Sequence, residues 1–136
     1  MDLERLKMWR DALLEAEEKG RDFSLMLYAR HNAESPCGFT ACLAGDLALY
    51  EPAKELGFSL SFSSPGGPGN ISFGERDAHY AMRAFLIADT AAEKSWVDRT
   101  IFPDYALTVY GKWGRDVTRA DGLARIEAKI KELETA

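Results

Sequence analysis

The chain has 136 residues, 46% of them hydrophobic and 29% charged, with a formal net charge of −5 and a sequence pI of about 5.1. That length suits a single domain, 1–136, and that apolar fraction is enough for a core, which excludes wholesale disorder. The acidic balance argues against general nucleic-acid binding, which needs a basic footprint, and fits a protein partner with a basic surface.

No apolar run reaches the length of a transmembrane helix, so no membrane association is expected. Asp2, Glu4, Arg5 and Lys7 break up any early apolar segment. No secretory leader is therefore expected, and the expected compartment is the cytoplasm of a bacterial host. Two cysteines without a disulfide framework fit that reducing compartment.

Residues 2 to 19 read as a helix, with Leu6, Trp9, Leu13 and Ala16 on one face and Gly20 as its stop. Glu15, Glu17 and Glu18 crowd its C-terminal end, where they oppose the helix dipole, so packing has to carry this helix. Phe23 to Tyr28 alternates and is apolar on both faces, the pattern of a short central strand.

Ser35 to Asp46 is the most unusual stretch. It holds both cysteines, Pro36, Gly38 and Gly45. Phe39, Leu43, Leu47 and Tyr50 recur at helical spacing, so a helix is expected from about Cys37 to Tyr50. Ala41, Ala44, Gly45 and Ala48 keep the rest of its surface small, which allows close backbone approach and a central position. Cys37 then sits at the helix N-terminus, where unpaired N–H groups favour a thiolate or hold an anion. Cys42 is expected to be a small buried apolar group. Within a helix the two are separated by ~7.5 Å of rise, too far for a disulfide.

Cys37-Gly38-Phe39-Thr40-Ala41-Cys42-Leu43-Ala44-Gly45 resembles the C-G-T-x-A-C-x-A-G signature of a set of small uncharacterised phage and bacterial proteins. In that set a Phe-x-Met/Leu segment precedes the signature, as Phe23-Ser24-Leu25-Met26 does here. A T-P-x-x-A-x-x-I helix closes the chain, as Thr118, Ala124, Ile126 and Ile130 do here. Phe39 stands where Thr is usual, and Arg119 where Pro is usual. The resemblance implies a mobile-element origin and brings no activity or catalytic residues with it.

Beyond the motif, Glu51-Pro52 opens a helical turn that stops at Gly57. Phe58, Leu60 and Phe62 alternate with serines, and Ile71 and Phe73 repeat the pattern after a Gly/Pro loop. Residues 58–63 and 70–74 are therefore expected to pair antiparallel, with Phe58, Phe62 and Phe73 inward. The loop lacks the Gly-Lys-Ser/Thr of a phosphate-binding loop and reads as a plain hairpin tip. Asp77 to Ala88 reads as a helix with His79 and Arg83 outward. Thr90 and Glu93 form a capping box for a second helix ending near Asp98. Tyr105 to Tyr110 alternates as a fourth strand, Gly111 to Arg115 form a loop around Trp113, and Thr118 caps a last helix with Leu123, Ile126, Ile130 and Leu133 inward. The expected fold is α+β, about four main helices around a small antiparallel sheet.

Three function classes follow. A contact protein needs anchors and a complementary field. Trp113 is the candidate anchor, unless it folds back onto the core as a plug, and Glu15, Glu17, Glu18, Asp116 and Asp121 are the candidate field. A cysteine enzyme would use Cys37 as nucleophile and His79 as base, with Asp77 or Asp46 orienting the imidazole. The order around Cys37 does not match a papain-type signature. A small-ligand binder would hold an anion or nucleotide at the motif helix N-terminus. His31, His79 and the two cysteines would just fill a zinc shell, but their spacing matches no common zinc pattern, and no metal or cofactor is expected. The expected function is that of a small phage-like, non-enzymatic protein acting by contact on a host defence or regulatory complex.

Overall fold

Asp2 starts the fold: its side chain accepts the Arg5 amide at 2.9 Å and caps helix α1, Leu3–Glu18. The structure, a computed structural model, describes residues 1–26, 28–32, 39–62 and 69–136. Helix α1 buries Leu6, Trp9, Ala12, Leu13 and Ala16, the face that the 3.6-residue period marks out. Against it lies α7, Arg119–Glu134, opened by a capping box in which Thr118 and Asp121 satisfy each other's backbone N–H. Its Ile126 and Ile130 are buried, and Leu123 and Leu133 pack at the margin of the core.

The chain leaves α1 into a small mixed sheet. Strand β3, Phe39–Ala41, lies between β1, Asp22–Phe23, which runs parallel to it, and β2, Ala29–His31, which runs antiparallel. The strand expected from Phe23 to Tyr28 is therefore interrupted. The Ser24 hydroxyl accepts the Met26 amide at 3.2 Å, and a turn at Leu25–Met26 puts Leu25 in the core and Met26 outside. The helix expected from Cys37 starts later. Phe39–Ala41 is held extended by ladders on both sides, and α2 runs only from Leu43 to Ala48 with Cys42 as its cap. Tertiary pairing here overrides the helical spacing of Phe39 and Leu43. Cys37 lies outside the described residues.

Helix α2 is central, as its small residues imply: all six of its residues are buried. Gly45 is pressed against the residue that precedes β2, where a Cβ would come within 1.6 Å of the Tyr28 carbonyl oxygen. Gly122 of α7 gives the same room to Leu43, whose Cδ2 lies 2.3 Å from where a Cβ would stand. Trp9 donates its indole N–H to the Leu43 carbonyl at 2.8 Å, tying α1 to the start of α2. After α2, the short helix α3, Glu51–Glu55, carries Pro52 in its first turn.

The second sheet is the expected hairpin. Strands β4, Phe58–Phe62, and β5, Gly69–Phe73, pair antiparallel with Phe58 opposite Phe73 and Phe62 opposite Gly69. Strand β6, Arg76–Asp77, adds a third edge to β5. Phe58 is buried and Phe62 and Phe73 half-buried, while Ser59 and Ser72 meet at 2.8 Å on the exposed face. The hairpin tip, residues 63–68, lies outside the described residues. Helix α4, Ala78–Phe85, covers the sheet with Phe85, which stands 5.0 Å from Phe58 and 5.4 Å from Phe73 between ring centres. It ends on a Schellman pair, Ala88 N–H to the Arg83 carbonyl and Ile87 N–H to that of Ala84, with Ile87 at φ +56° where glycine is the usual residue. Helix α5, Ala91–Ile101, carries the Thr90–Glu93 capping box and runs three residues beyond the expected end at Asp98.

The expected fourth strand does not form. Pro103–Tyr105 is a 3₁₀ turn and Ala106–Tyr110 a short helix, α6. Pro103 presets helical φ at the entry, and the Tyr110 hydroxyl donates to the Thr100 carbonyl at 2.8 Å, holding the segment on α5. The architecture is thus α+β, with seven α-helices and two three-stranded sheets among the described residues, around one continuous hydrophobic cluster. No helix among those residues is long and apolar enough to cross a membrane.

The two tight glycines differ in what they touch. Helix propensity alone would favour Gly→Ala by about 1 kcal/mol at either site. At Gly45 the new methyl meets fixed backbone, and at Gly122 it meets the mobile end of Leu43. In urea titrations Gly45→Ala is expected to destabilise by about 3 kcal/mol or more and Gly122→Ala by about 1–3 kcal/mol. Equal or reversed costs would contradict the packing.

Candidate functional site

The described part of the motif, Phe39 to Asp46, has its chemistry already committed. The Cys42 thiol is free and buried; its sulfur accepts the Gly45 amide at 3.4 Å at the start of α2. Burial pushes this thiol up to about 12, so it is neutral at physiological pH. The first turn of α2 is fully buried as well, which leaves the amide of Gly45 serving Cys42 rather than a bound anion.

Asp46 has no exposed surface, yet it is charged. Burial raises its carboxyl to about 6 against the pull of two guanidinium groups, which leaves it ionised at neutral pH. Arg119 donates from Nε to Oδ2 at 2.7 Å, and Arg21 from Nη1 to Oδ1 at 3.1 Å. Arg119 also donates to the carbonyl of Arg21 at 2.8 Å, stacks 5.3 Å over the Phe23 ring, and meets Glu17 at 3.7 Å at the rim. The expectation that Asp46 orients an imidazole is therefore corrected: both its oxygens are engaged by arginines.

His79 is half-buried, 4.0 Å from the Tyr80 ring and 5.1 Å from that of Phe102. Asp77 is the N-cap residue of α4 without a side-chain capping bond. Burial, and after it the charges of Asp77 and Asp98, raise the Tyr28 hydroxyl to about 12. Cys37 and the side chain of His31 lie outside the described residues, so the Cys37–His79 pairing does too. No cluster of potential metal ligands occurs among the described residues.

The open surface is elsewhere. A cleft of about 290 Å³ is lined by Leu25, Met26, Tyr28, Cys42, Ile101, Phe102 and Pro103, among others. It adjoins a second of about 260 Å³, formed by Met26, Pro103, Asp104, Trp113, Gly114 and Arg115. Met26 and Pro103 belong to both, so the two make one groove. Trp113 is 62% exposed and Met26 60%. Trp113 is thus an outward residue and not a core plug. Gly114 lets its loop lie close, since a Cβ there would stand 2.8 Å from Pro103 and 3.2 Å from the Met26 sulfur.

The expected acidic field is only partly available. Glu18 and Asp116 are exposed. Glu15 pairs with Lys19 at 3.5 Å, and Glu17 with Arg119. Asp121 is spent on the capping box and on Lys112 at 2.8 Å. Sequence reasoning missed Met26, Pro103 and Asp104 as surface residues. Met26 was hidden in an apparent strand, and Pro103 and Asp104 stand just before an apparent one.

No family model, curated protein or solved structure matches this chain.

A Cys37→Ser variant isolates the Cys42 thiol. Its reaction with an aromatic disulfide reagent is expected to be at least about 100-fold slower in native buffer than in denaturant, because both burial and the raised pKa suppress the thiolate. Equal rates would place Cys42 at the surface.

Proposed function

We propose that this chain is a small phage-like, non-enzymatic protein that acts by protein–protein contact, engaging a host defence or regulatory complex through a basic surface on that partner. The observation that carries the reading is the groove in which two large, exposed, adaptable side chains, Trp113 and Met26, flank Pro103. Tryptophan is enriched among interface anchors, and methionine repacks readily against varied surfaces. Exposed Asp104 and Asp116 border the anchor, with Arg115 beside them, in a chain of net charge −5. Such a field favours a basic partner. The neutral, buried state of Cys42 and the full engagement of Asp46 support the non-enzymatic side of the reading. The resemblance of Cys37–Gly45 to the signature of small phage and bacterial proteins supports the proposed origin.

Capture of a defined partner from bacterial lysate, followed by titration of the purified pair, tests it. Trp113→Ala is expected to weaken binding by about 30-fold and Met26→Ala by less. Asp104→Lys with Asp116→Lys is expected to weaken binding and flatten its salt dependence, at a stability cost within about 0.5 kcal/mol each. A chain that binds no partner and turns over a substrate in a Cys37-dependent manner would overturn the proposal.

A further inference from the structure

On a different face, β6, α4 and the first half of α5 enclose a cleft of about 430 Å³. Its lining holds three basic side chains, Arg76, Arg83 and Lys94, and one acidic one, Asp89, with Tyr80 on the wall and Ala84 and Ala88 as an apolar floor. In a chain of net charge −5 this local excess of cations is out of character. The three cations also differ in how they are used. Arg83 is fixed in place by Asp98, donating from Nε to Oδ1 at 3.0 Å and from Nη2 to Oδ2, and it lies 5.2 Å from the Tyr80 ring centre. Arg76 and Lys94 are exposed, and among the described residues neither side chain has a hydrogen bond or an ion pair. Of the carboxylates nearest to Arg76 in sequence, Glu75 shares a neighbouring hollow with it, and neither Glu75 nor Asp77 lines the cleft.

We propose that this cleft binds the phosphate of a small phosphorylated ligand, with Arg76 and Lys94 as the groups that hold it. Two cations without an ion pair, against the one carboxylate of Asp89 in the lining, match a phosphate dianion better than a single carboxylate. An arginine fork and a lysine point charge are the usual donors to its oxygens. Arg83, already oriented by Asp98, narrows the search for a third donor, since its Nη1 is not used in that pair. Tyr80, 49% exposed, offers a ring and a hydroxyl beside the phosphate position, and Asp89 an acceptor for a ligand hydroxyl. The volume lies within the usual range of small-molecule sites. This inference is independent of the Trp113 groove and does not rest on the reading above.

Three probes separate the components of such a ligand: inorganic pyrophosphate, adenosine monophosphate and adenosine. Titrated into the protein and followed by backbone amide shifts and calorimetry, pyrophosphate and adenosine monophosphate are expected to bind and to move the signals of Arg76, Tyr80 and Lys94, while adenosine alone does not. Arg76→Ala and Lys94→Ala are each expected to weaken binding by about 10-fold, with the double variant losing it, because a charge-assisted hydrogen bond contributes on that scale. Both side chains are exposed, so the melting temperature should stay at the parent value. Trp113→Ala should leave phosphate binding unchanged. No binding of either phosphate at about 10 mM, or binding that the double variant retains, overturns the proposal.

Discussion

Asp46 is a single carboxylate in the middle of a buried helix, and the two arginines that meet it come from opposite ends of the chain. A buried ion pair adds little net stability compared with well-packed apolar residues. Removing one partner is costly, because it strands the other charge without water. Here the consequence is geometric. Arg21 follows α1, Asp46 lies in α2, and Arg119 opens α7, so one charge cluster fixes where three helices meet. Arg119 adds a hydrogen bond to the Arg21 carbonyl and covers Phe23, which seats β1 against β3.

The exposed groove is built on the segments next to that junction. Met26 lies just after β1, on the turn that follows Arg21 and Phe23. Trp113 lies just before α7, on the loop that Arg119 ends. The two walls of the groove thus lie on segments that adjoin, in sequence, the two arginines that share Asp46. Gly114 completes the arrangement by letting the Trp113 loop touch Pro103 and Met26. If the groove is the contact surface we propose, its short, anchored segments lower the entropy lost on binding.

Much of this was legible in the sequence where local pattern and tertiary context agree. Helix α1, α7 and the Phe58–Phe73 hairpin carry long, clean periodicities, and the capping residues Asp2, Thr90 and Thr118 stand where their helices begin. The failures fall where context wins. Phe39 sits at helical spacing from Leu43, but β1 and β2 claim its backbone from both sides. Tyr105 to Tyr110 alternates like a strand, but Pro103 and the Tyr110–Thr100 hydrogen bond fold it onto α5. The Asp46 cluster left a trace that went unread. An aspartate inside Leu43–Ala48, a run otherwise apolar or glycine, demands a buried counter-charge. Its pairing spans 73 residues of sequence, which no local pattern encodes.

The importance of this junction is open to direct measurement. A double-mutant cycle in urea compares Asp46→Ala, Arg119→Met and the two together. If the pair holds the three helices in register, each single change should cost about 3–5 kcal/mol, and the double change should cost less than their sum by at least about 1 kcal/mol. Single changes within about 0.5 kcal/mol of the parent, or costs that simply add, would contradict a coupled buried pair at the centre of this fold.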